Sequence, residues 1–327
     1  MPRIIFLNRF FHPDHSATSQ ILGDLCFHLA AAGRDIHVIA SRQRYDDAAA
    51  DLPERETVNG VNVRRITTSR FGRSSLIGRS LDYLSYYRGA WRAMAGIARR
   101  GDIIVAKTDP PLLSVLAMHA AARHGARLVN WLQDLYPEIA VELGVPLMRG
   151  PIAHRLAALR NNSLRAAVTN VAIGDAMADR IRSLGISVEQ ISVIPNWADD
   201  EHILPMSAAD NSLRREWGLE RKFVVGYSGN LGRAHEFEPV VSAAERLRED
   251  SRIVFIFIGG GQQFDDVARR VGERGLGQTV RFFPYQEQAT LKYSLTVPDV
   301  HWLSLRPELE GYIFPSKFYG IAAAGRP

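Results

Sequence analysis

Residues 223–236 read Phe-Val-Val-Gly-Tyr-Ser-Gly-Asn-Leu-Gly-Arg-Ala-His-Glu. An apolar, strand-like run over Phe223–Tyr227 leads here into a loop with two glycines, and helical periodicity follows up to residue 247. A second apolar run, 253–258, comes next and also ends in glycines. A strand, a crossover helix and a second strand make up the repeating unit of a parallel sheet. This stretch therefore predicts an α/β protein.

The same alternation extends over the rest of the chain. From Ile4 to Ile173, short strands rich in Ile and Val alternate with helical runs, which favours a doubly wound parallel sheet buried on both faces. The pattern breaks in the polar, proline-containing stretch 194–200. We therefore predict two Rossmann-like domains in series, 1–196 and 197–327. Only four strands of the second sheet can be recognised before the end of the chain, so we expect that sheet to be truncated.

The composition fits a folded protein in a reducing compartment. The chain has 327 residues, enough for two such domains, with 46% hydrophobic and 23% charged residues. Its single cysteine, Cys26, lies in an apolar helix-like run and is expected to be buried. No signal-peptide pattern follows Met1, and the longest apolar run, Leu112–Ala122, is too short to span a bilayer. We expect a cytoplasmic protein.

Positive charge is concentrated between residues 64 and 100, which contain nine arginines and a single acid, Asp82. Apolar and aromatic residues recur there at spacings of three and four, typical of an amphipathic helix. Such a helix suits an anionic membrane surface, but a domain helix with solvated arginines has the same pattern. No motif for nucleic acid accompanies it. The predicted membrane contacts are Arg79, Arg88, Trp91 and Arg92.

The glycine loop after residue 227 has the composition of a phosphate site. Backbone N–H groups at a helix N-terminus bind anions, and Gly229 and Gly232 allow the main chain to approach a diphosphate. Arg233 can add bidentate contacts. A tight turn between strand and helix would use the same glycines. Gly259 and Gly260, at the end of the next strand, are expected at the same site.

Two further segments of the second half carry candidate ligands for a phosphorylated sugar. Tyr285 follows a later strand and can stack on a base, although a surface turn explains it equally well. The segment Glu310-Gly-Tyr-Ile-Phe-Pro-Ser-Lys317 follows the strand-like run 300–305. Glu310 can hold sugar hydroxyls and Lys317 can neutralise phosphate, with Gly311 and Ser316 between them.

In the first half, Asp134 and Glu138 follow the strand 128–132, at the end where ligands bind in open α/β sheets. Asp134 can orient an acceptor hydroxyl or stabilise a cationic sugar carbon, or it can cap a helix. His15 and Ser16, after the first strand, can bind phosphate or acceptor, with helix capping as the alternative for Ser16. No Asp-x-Asp pair or His/Cys cluster has ligand spacing, so we expect no metal.

These motifs, with Trp131-Leu-Gln-Asp-Leu-Tyr-Pro-Glu138 and the N-terminal run 7–20, resemble the retaining family 4 glycosyltransferases of the GT-B fold. Within that family, the chain is most similar to the transferases of O-antigen and colanic acid synthesis. The resemblance extends over essentially the whole chain. It implies two Rossmann-like domains facing a cleft, with the acceptor bound by the first and the donor by the second.

The resemblance also implies the reaction and its partners. A hexose would pass from a UDP- or GDP-linked donor to an acceptor hydroxyl, with retention at the anomeric carbon and without a cofactor or metal. The acceptor would be a polyprenyl-diphosphate-linked saccharide of a bacterial surface polysaccharide. The enzyme would work as a peripheral protein on the inner face of the plasma membrane.

The sequence departs from the family pattern at several points, among them the N-terminal loop at residues 12–19, which lacks the paired glycines often found there. Glu310 matches the first glutamate of the Glu-x7-Glu signature, but the second falls on Phe318, and the neighbouring Tyr319 can offer a hydroxyl instead. Gln133 stands where a histidine is common. The family loop carries an arginine and a lysine for the donor diphosphate. No lysine follows Arg233 here, so the role of that lysine can pass to Lys317.

Other functions fit parts of the sequence. A nucleotide-sugar epimerase would share the architecture but need no basic helix, and a non-catalytic nucleotide-sugar sensor would tolerate Phe318 and Gln133. A dehydrogenase is disfavoured because the strand 253–258 ends in glycines, without an acid for an NAD ribose.

Overall fold

The computed structural model describes residues 2–72, 76–146, 148–199 and 201–327. Its contacts divide the chain into two compact units. Unit 1 comprises Met1–Pro195 and Gly311–Phe314, and unit 2 comprises Asn196–Glu310 and Pro315–Pro327. The sequence prediction places the boundary one residue later and does not anticipate that 311–314 pack with unit 1.

Unit 1 is built on an eight-stranded sheet with the order β3-β4-β2-β1-β5-β6-β7-β8. All neighbouring pairs are parallel except β3 and β4. The strands are β1 Ile4–Leu7, β2 Ile36–Ser41, β3 Arg55–Val58, β4 Val61–Ile66, β5 Ile103–Ala106, β6 Arg127–Trp131, β7 Thr169–Ala172 and β8 Ile191–Val193.

The helices of unit 1 cover this sheet. They are α1 Ala17–Ala31, α2 Leu76–Ile97, α3 Leu113–His124, α4 Glu138–Glu142, α5 Gly150–Ala166 and α6 Asp175–Ser183. A core cluster of unit 1 joins strand residues such as Leu7 and Ile39 to Tyr86 of α2 and Leu113 of α3. Its apolar strands are buried because helices cover them, as expected of parallel sheets.

Unit 2 contains a four-stranded parallel sheet with the order β11-β10-β9-β12. Its strands are β9 Phe223–Asn230, β10 Ile253–Gly260, β11 Val280–Phe283 and β12 Val300–His301. Its helices are α7 Ser212–Glu216, α8 Glu238–Arg246, α9 Phe264–Glu273, α10 Leu291–Thr296 and α11 Lys317–Ala323. Two sheets, the first parallel except for its edge strand β3 and the second fully parallel, confirm with their covering helices the predicted α/β class with two Rossmann-like domains.

The structure corrects three details of the sequence prediction. The edge strand β3 was missed, although Asn59 and Gly60, with φ of 47° and 80°, form the positive-φ turn of a hairpin. β9 extends through Gly229 to Asn230, beyond the predicted end at Tyr227. β12 is only two residues long, whereas the prediction covers 300–305. After β12, Ser304 and Arg306 form hydrogen bonds with residues 234–236 instead of continuing the strand.

Candidate functional site

The carboxyl ends of β9 and β10 form a surface of bare main chain in unit 2. Gly229 and Gly259 are paired neighbours with φ of 115° and 126°. A Cβ on Gly259 would lie 2.5 Å from the carbonyl oxygen of Gly229, and one on Gly229 would lie 2.9 Å from Cε of Lys317. Glycine is therefore required at both positions, because the strand ends and a lysine stem pack directly on the backbone.

The neighbouring glycines contribute differently. A Cβ on Gly260 would lie 3.0 Å from Cε2 of Tyr285, so the tyrosine ring rests against this glycine. The Tyr285 side chain is 59% exposed, which leaves ring surface accessible for stacking. Gly232 has room for a side chain, and its carbonyl accepts a hydrogen bond from Gln263. Packing of protein atoms therefore does not account for the glycine at position 232, and its role in the close approach of a ligand stays a prediction.

Lys317 lies across these strand ends. Its Nζ is 3.3 Å from Nε2 of His235 and 5.2 Å from the centroid of the Tyr227 ring. Burial lowers the pKa of Lys317 to about 8. The Nδ1 of His235 is 2.6 Å from the carbonyl oxygen of Ser304. His235 is absent from the sequence-predicted site, although it belongs to the quoted loop.

Arg233 lies beside this lysine site. Together with Arg306 it lines an open cavity of about 510 Å³, which also contains His235, Glu236 and Gln263. The backbone N–H of Arg306 donates to the carbonyl of Ala234 at 2.9 Å, which ties the loop after β12 to the loop after β9. The two guanidinium groups bring positive charge to a cavity that Glu236 and Glu238 also line, and Arg306 is itself paired with Glu308 at 3.6 Å.

The residues of the predicted sugar-binding segment 310–317 have different surroundings in the structure. Glu310 is exposed, and its carboxylate has no hydrogen bond or ion pair to any residue that the structure describes. Gly311, with φ of 77°, packs on α6, where a Cβ would lie 2.9 Å from the carbonyl oxygen of Ala176. Close packing within unit 1 therefore accounts for the glycine at this position, and its assignment to donor binding stays a prediction. Ser316 immediately precedes α11, and Tyr319 is hydrogen bonded to the backbone of Asn196.

Asp134 belongs to a cluster of charged groups at the carboxyl ends of β5 and β6. Burial raises the pKa of Asp134 to about 7; the charge of Asp109 adds to the shift and the charge of Lys107 opposes it. Residues 134 and 135 are themselves held by backbone pairing with 312 and 313. A carboxylate with such a pKa changes its protonation state near neutral pH, as expected at a site of chemistry.

Lys107 is the buried cation of this cluster. It is 1% exposed, and its Nζ donates to the carbonyl of Thr18 at 2.9 Å and lies 4.0 Å from the centroid of the Trp131 ring. Burial lowers the pKa of Lys107 to about 7. Sequence reasoning missed both Lys107 and Asp109. Both residues could have been identified from their position directly after β5, since residues that follow a strand lie at the ligand-binding edge of the sheet. Asp134 was identified in this way after β6.

The other predicted residues of unit 1 have structural partners. Glu138 forms an ion pair with Arg160, which is only 4% exposed, so its carboxylate joins α4 to α5. The hydroxyl of Ser16 donates to Asp14 at 2.5 Å rather than capping α1, while His15 is exposed. The assignments of Glu138 and Ser16 to an acceptor site are thereby weakened.

The exposed face of α2 differs from the predicted membrane contact. Trp91 is partly buried against the core cluster of unit 1, and Arg79 is half-buried, so neither belongs to that face. Three leucine and isoleucine side chains are exposed instead, by 77%, 43% and 61%, and we call them the apolar stripe: Ile77, Leu81 and Leu84. Arg88 and Arg92 are exposed and continue its line along the helix. Arg73 of the basic segment lies outside the described residues.

Neither a metal-binding cluster nor a membrane-spanning helix is found among the described residues. No group of three or more His, Cys, Asp or Glu side chains there is arranged to hold a metal ion. Within the same ranges, no helix has the length and apolar character needed to cross a membrane.

Comparison with known proteins places the chain in a family. The profile described as "Glycosyl transferase 4-like domain" matches residues 17–197, and "Glycosyl transferases group 1" matches 210–309. WcaI of Escherichia coli K12, named for colanic acid biosynthesis, is 26% identical over 96% of this chain and 79% of its own length. WbjE of Pseudomonas aeruginosa, named a glycosyltransferase, is 28% identical over 70% of this chain and 57% of its own length.

Solved structures share the fold. HepE of Anabaena in complex with UDP has a TM-score of 0.70 at 16% identity, covering 99% of this chain and 79% of HepE. Sucrose-phosphate synthase of Thermosynechococcus elongatus has a TM-score of 0.71 at 14% identity, covering 100% of this chain and 80% of the synthase. The family match over more than half of the chain and these folds agree with the predicted resemblance. The chain belongs to the glycosyl transferase 4-like family and is a GT-B glycosyltransferase.

Proposed function

We propose that this glycosyltransferase moves a hexose from a UDP- or GDP-linked donor to an acceptor in bacterial surface polysaccharide synthesis, with retention and without a metal. The observation that carries the donor assignment is the position of Lys317 across the bare main chain of Gly229 and Gly259. A diphosphate needs close backbone approach and positive charge, and both are found here. The name of WcaI, which refers to colanic acid biosynthesis, supports the polysaccharide pathway, and the name of WbjE supports glycosyl transfer.

The donor site has groups for each part of a nucleotide sugar. Lys317 and Arg233 supply charge that would offset the leaving diphosphate, which is the task a metal performs in other transferases. The exposed ring of Tyr285 beside Gly260 offers a stacking surface for the base. Glu310 has an exposed carboxylate that is available to sugar hydroxyls. HepE structures with UDP and UDP-glucose agree with a nucleotide sugar as substrate.

Asp134 is the proposed acidic group of the transfer step. The bond from the anomeric carbon to the diphosphate breaks, a bond to the acceptor oxygen forms, and the acceptor proton passes to the leaving diphosphate. Positive charge develops on the sugar ring during this exchange. An ionised Asp134 would stabilise that charge or orient the acceptor hydroxyl.

A lipid-linked acceptor requires contact with a membrane, and α2 offers the surface. The apolar stripe would enter the interfacial region, while Arg88 and Arg92 would meet anionic headgroups, each contributing ~1 kcal/mol. This proposal keeps the predicted arginines at 88 and 92 and replaces Trp91 by exposed apolar residues.

The membrane proposal predicts that replacing all three stripe residues by serine lowers binding to phosphatidylglycerol vesicles about tenfold or more. Burial of each such side chain contributes ~1.5–3 kcal/mol when complete. Vesicle sedimentation measures the effect. The matched control replaces Ile152 and Leu159 of α5, which are 48% and 43% exposed, and should bind as the wild type does. Equal losses in both variants would contradict a specific surface.

Transfer itself is tested with UDP- and GDP-linked hexoses and a polyprenyl-diphosphate-linked saccharide. We expect a glycosylated lipid in the presence of EDTA, detected by mass spectrometry, and NMR of the product should show the donor's anomeric configuration. An inverted product would contradict retention, and loss of activity with EDTA would contradict metal independence. Conversion of the donor hexose while it stays linked to the nucleotide would instead support an epimerase.

A further inference from the structure

We infer that His235 is a positioning residue that fixes the ammonium group of Lys317 for the donor diphosphate. The inference rests on the proposed function and adds a residue that the sequence motifs do not identify. It depends on three contacts that join the loop after β9, the loop after β12 and α11.

The hydrogen-bond partners of His235 determine its tautomer. The carbonyl oxygen of Ser304, 2.6 Å from Nδ1, has no proton to donate, so Nδ1 must carry the proton and donate it. In a neutral ring, Nε2 is then the acceptor. Burial and the charge of Lys317 lower the pKa of His235, which favours this neutral form. The ring therefore presents a lone pair at Nε2.

Lys317 supplies the matching donor. Its Nζ lies 3.3 Å from Nε2 of His235, and an ammonium group has three N–H donors. One N–H is directed to the histidine, which leaves two for a phosphate. A free lysine side chain has several rotatable bonds, so holding it in one conformation before the ligand arrives reduces the entropy cost of binding.

The surroundings hold the histidine in turn. The Ser304 hydroxyl donates to the carbonyl of Glu236 at 2.7 Å and accepts from its N–H at 3.0 Å. The Tyr227 ring lies edge-on to the imidazole, with centroids 5.9 Å apart. Charged groups that line the adjoining cavity are Arg233, Glu236, Glu238 and Arg306. The imidazole is therefore fixed between a rigid loop and the lysine.

Glutamine and asparagine at position 235 can each retain one of the two hydrogen bonds of the ring, so the two variants test these contacts separately. The amide of glutamine reaches the position of Nε2 and can accept from Lys317, whereas the shorter amide of asparagine reaches only the position of Nδ1 and can serve Ser304. His235→Gln should therefore keep nucleotide affinity close to the wild type. His235→Asn should weaken the binding of UDP or GDP about tenfold, as measured by isothermal titration calorimetry at pH 7. Melting curves check that both variants are folded.

A double-mutant cycle shows whether His235 acts through Lys317. We expect His235→Asn to have no further effect on affinity when Lys317 is already methionine, because coupled residues are not additive. If the affinity losses of the two substitutions multiplied in the double variant, or if the His235→Asn and His235→Gln variants had equal affinities, the positioning role of His235 would be wrong and the proposed donor site would be unaffected. If the wild type bound neither nucleotide, or if Lys317→Met bound normally, the proposed donor site would be wrong and the inference would fail with it.

Discussion

The Asp134→Asn variant is expected to lose about 100- to 1000-fold in kcat, because an amide cannot supply the negative charge that the transfer step requires. Asparagine keeps the size of the side chain and removes only its ionisation. Turnover of the nucleotide sugar with the lipid-linked acceptor measures the loss. Asp109→Asn is the comparison variant, since Asp109 belongs to the same charged cluster but has no assigned role in the reaction. A kcat within about threefold of the wild type in Asp134→Asn would remove Asp134 from the mechanism.

The same substitution has a pH-dependent effect on stability. The pKa of Asp134 is raised from 3.8 to about 7 in the folded state, so the carboxyl favours folding while it is protonated. That contribution is lost as the pH rises through about 7, because the folded protein must then bury a charge. The amide of the Asp134→Asn variant cannot ionise. The melting temperature of this variant should therefore exceed that of the wild type, and by more at pH 8 than at pH 5.

The Lys317→Met variant is expected to bind UDP or GDP about 10- to 100-fold more weakly, since charge-assisted hydrogen bonds contribute ~1.5–3 kcal/mol. Methionine keeps an apolar stem of similar length against Gly229, so the fold should survive. The control is Lys222→Met, at the opposite end of β9, which should bind normally. Calorimetry measures both, and equal affinities would contradict the donor site.

Together, Asp134 and Lys317 also predict the pH dependence of kcat/KM. The reaction needs Asp134 ionised, with a pKa of about 7, and Lys317 protonated, with a pKa of about 8. Activity should therefore rise through the first value and fall through the second, with an optimum between them. The pH profile of Asp134→Asn should therefore lack the rise, and the pH profile of Lys317→Met should lack the fall.

Sequence reasoning located residues at the ends of strands, where their position follows from the order of the elements. Glycines at strand ends and a carboxylate after a strand follow from the alternation of elements, and the structure places Gly229, Gly259 and Lys317 together. It failed where a role depends on distant partners. His235 acquires its position from Ser304 and Lys317, 69 and 82 residues away in sequence, and no local pattern shows those contacts.

Burial explains the other differences. The residue spacing of α2 shows that one face of the helix is apolar. It does not show that packing against the core buries only part of this apolar content, so that Trp91 is partly buried while the apolar stripe is exposed. Glycine in the sequence likewise does not show what approaches it. Gly311 packs against α6 of its own unit, a contact that the motif does not show. Such choices depend on tertiary packing, which overrides local patterns.

Nucleotide binding by unit 2 can be measured as thermal stabilisation by UDP, GDP, ADP and NAD, in the wild type and in the Arg233→Ala variant. A ligand that binds only the folded state raises the melting temperature by mass action. We expect a rise of several degrees with UDP or GDP, and a smaller rise in the Arg233→Ala variant. A rise with NAD alone, or none with any of the four, would contradict this expectation.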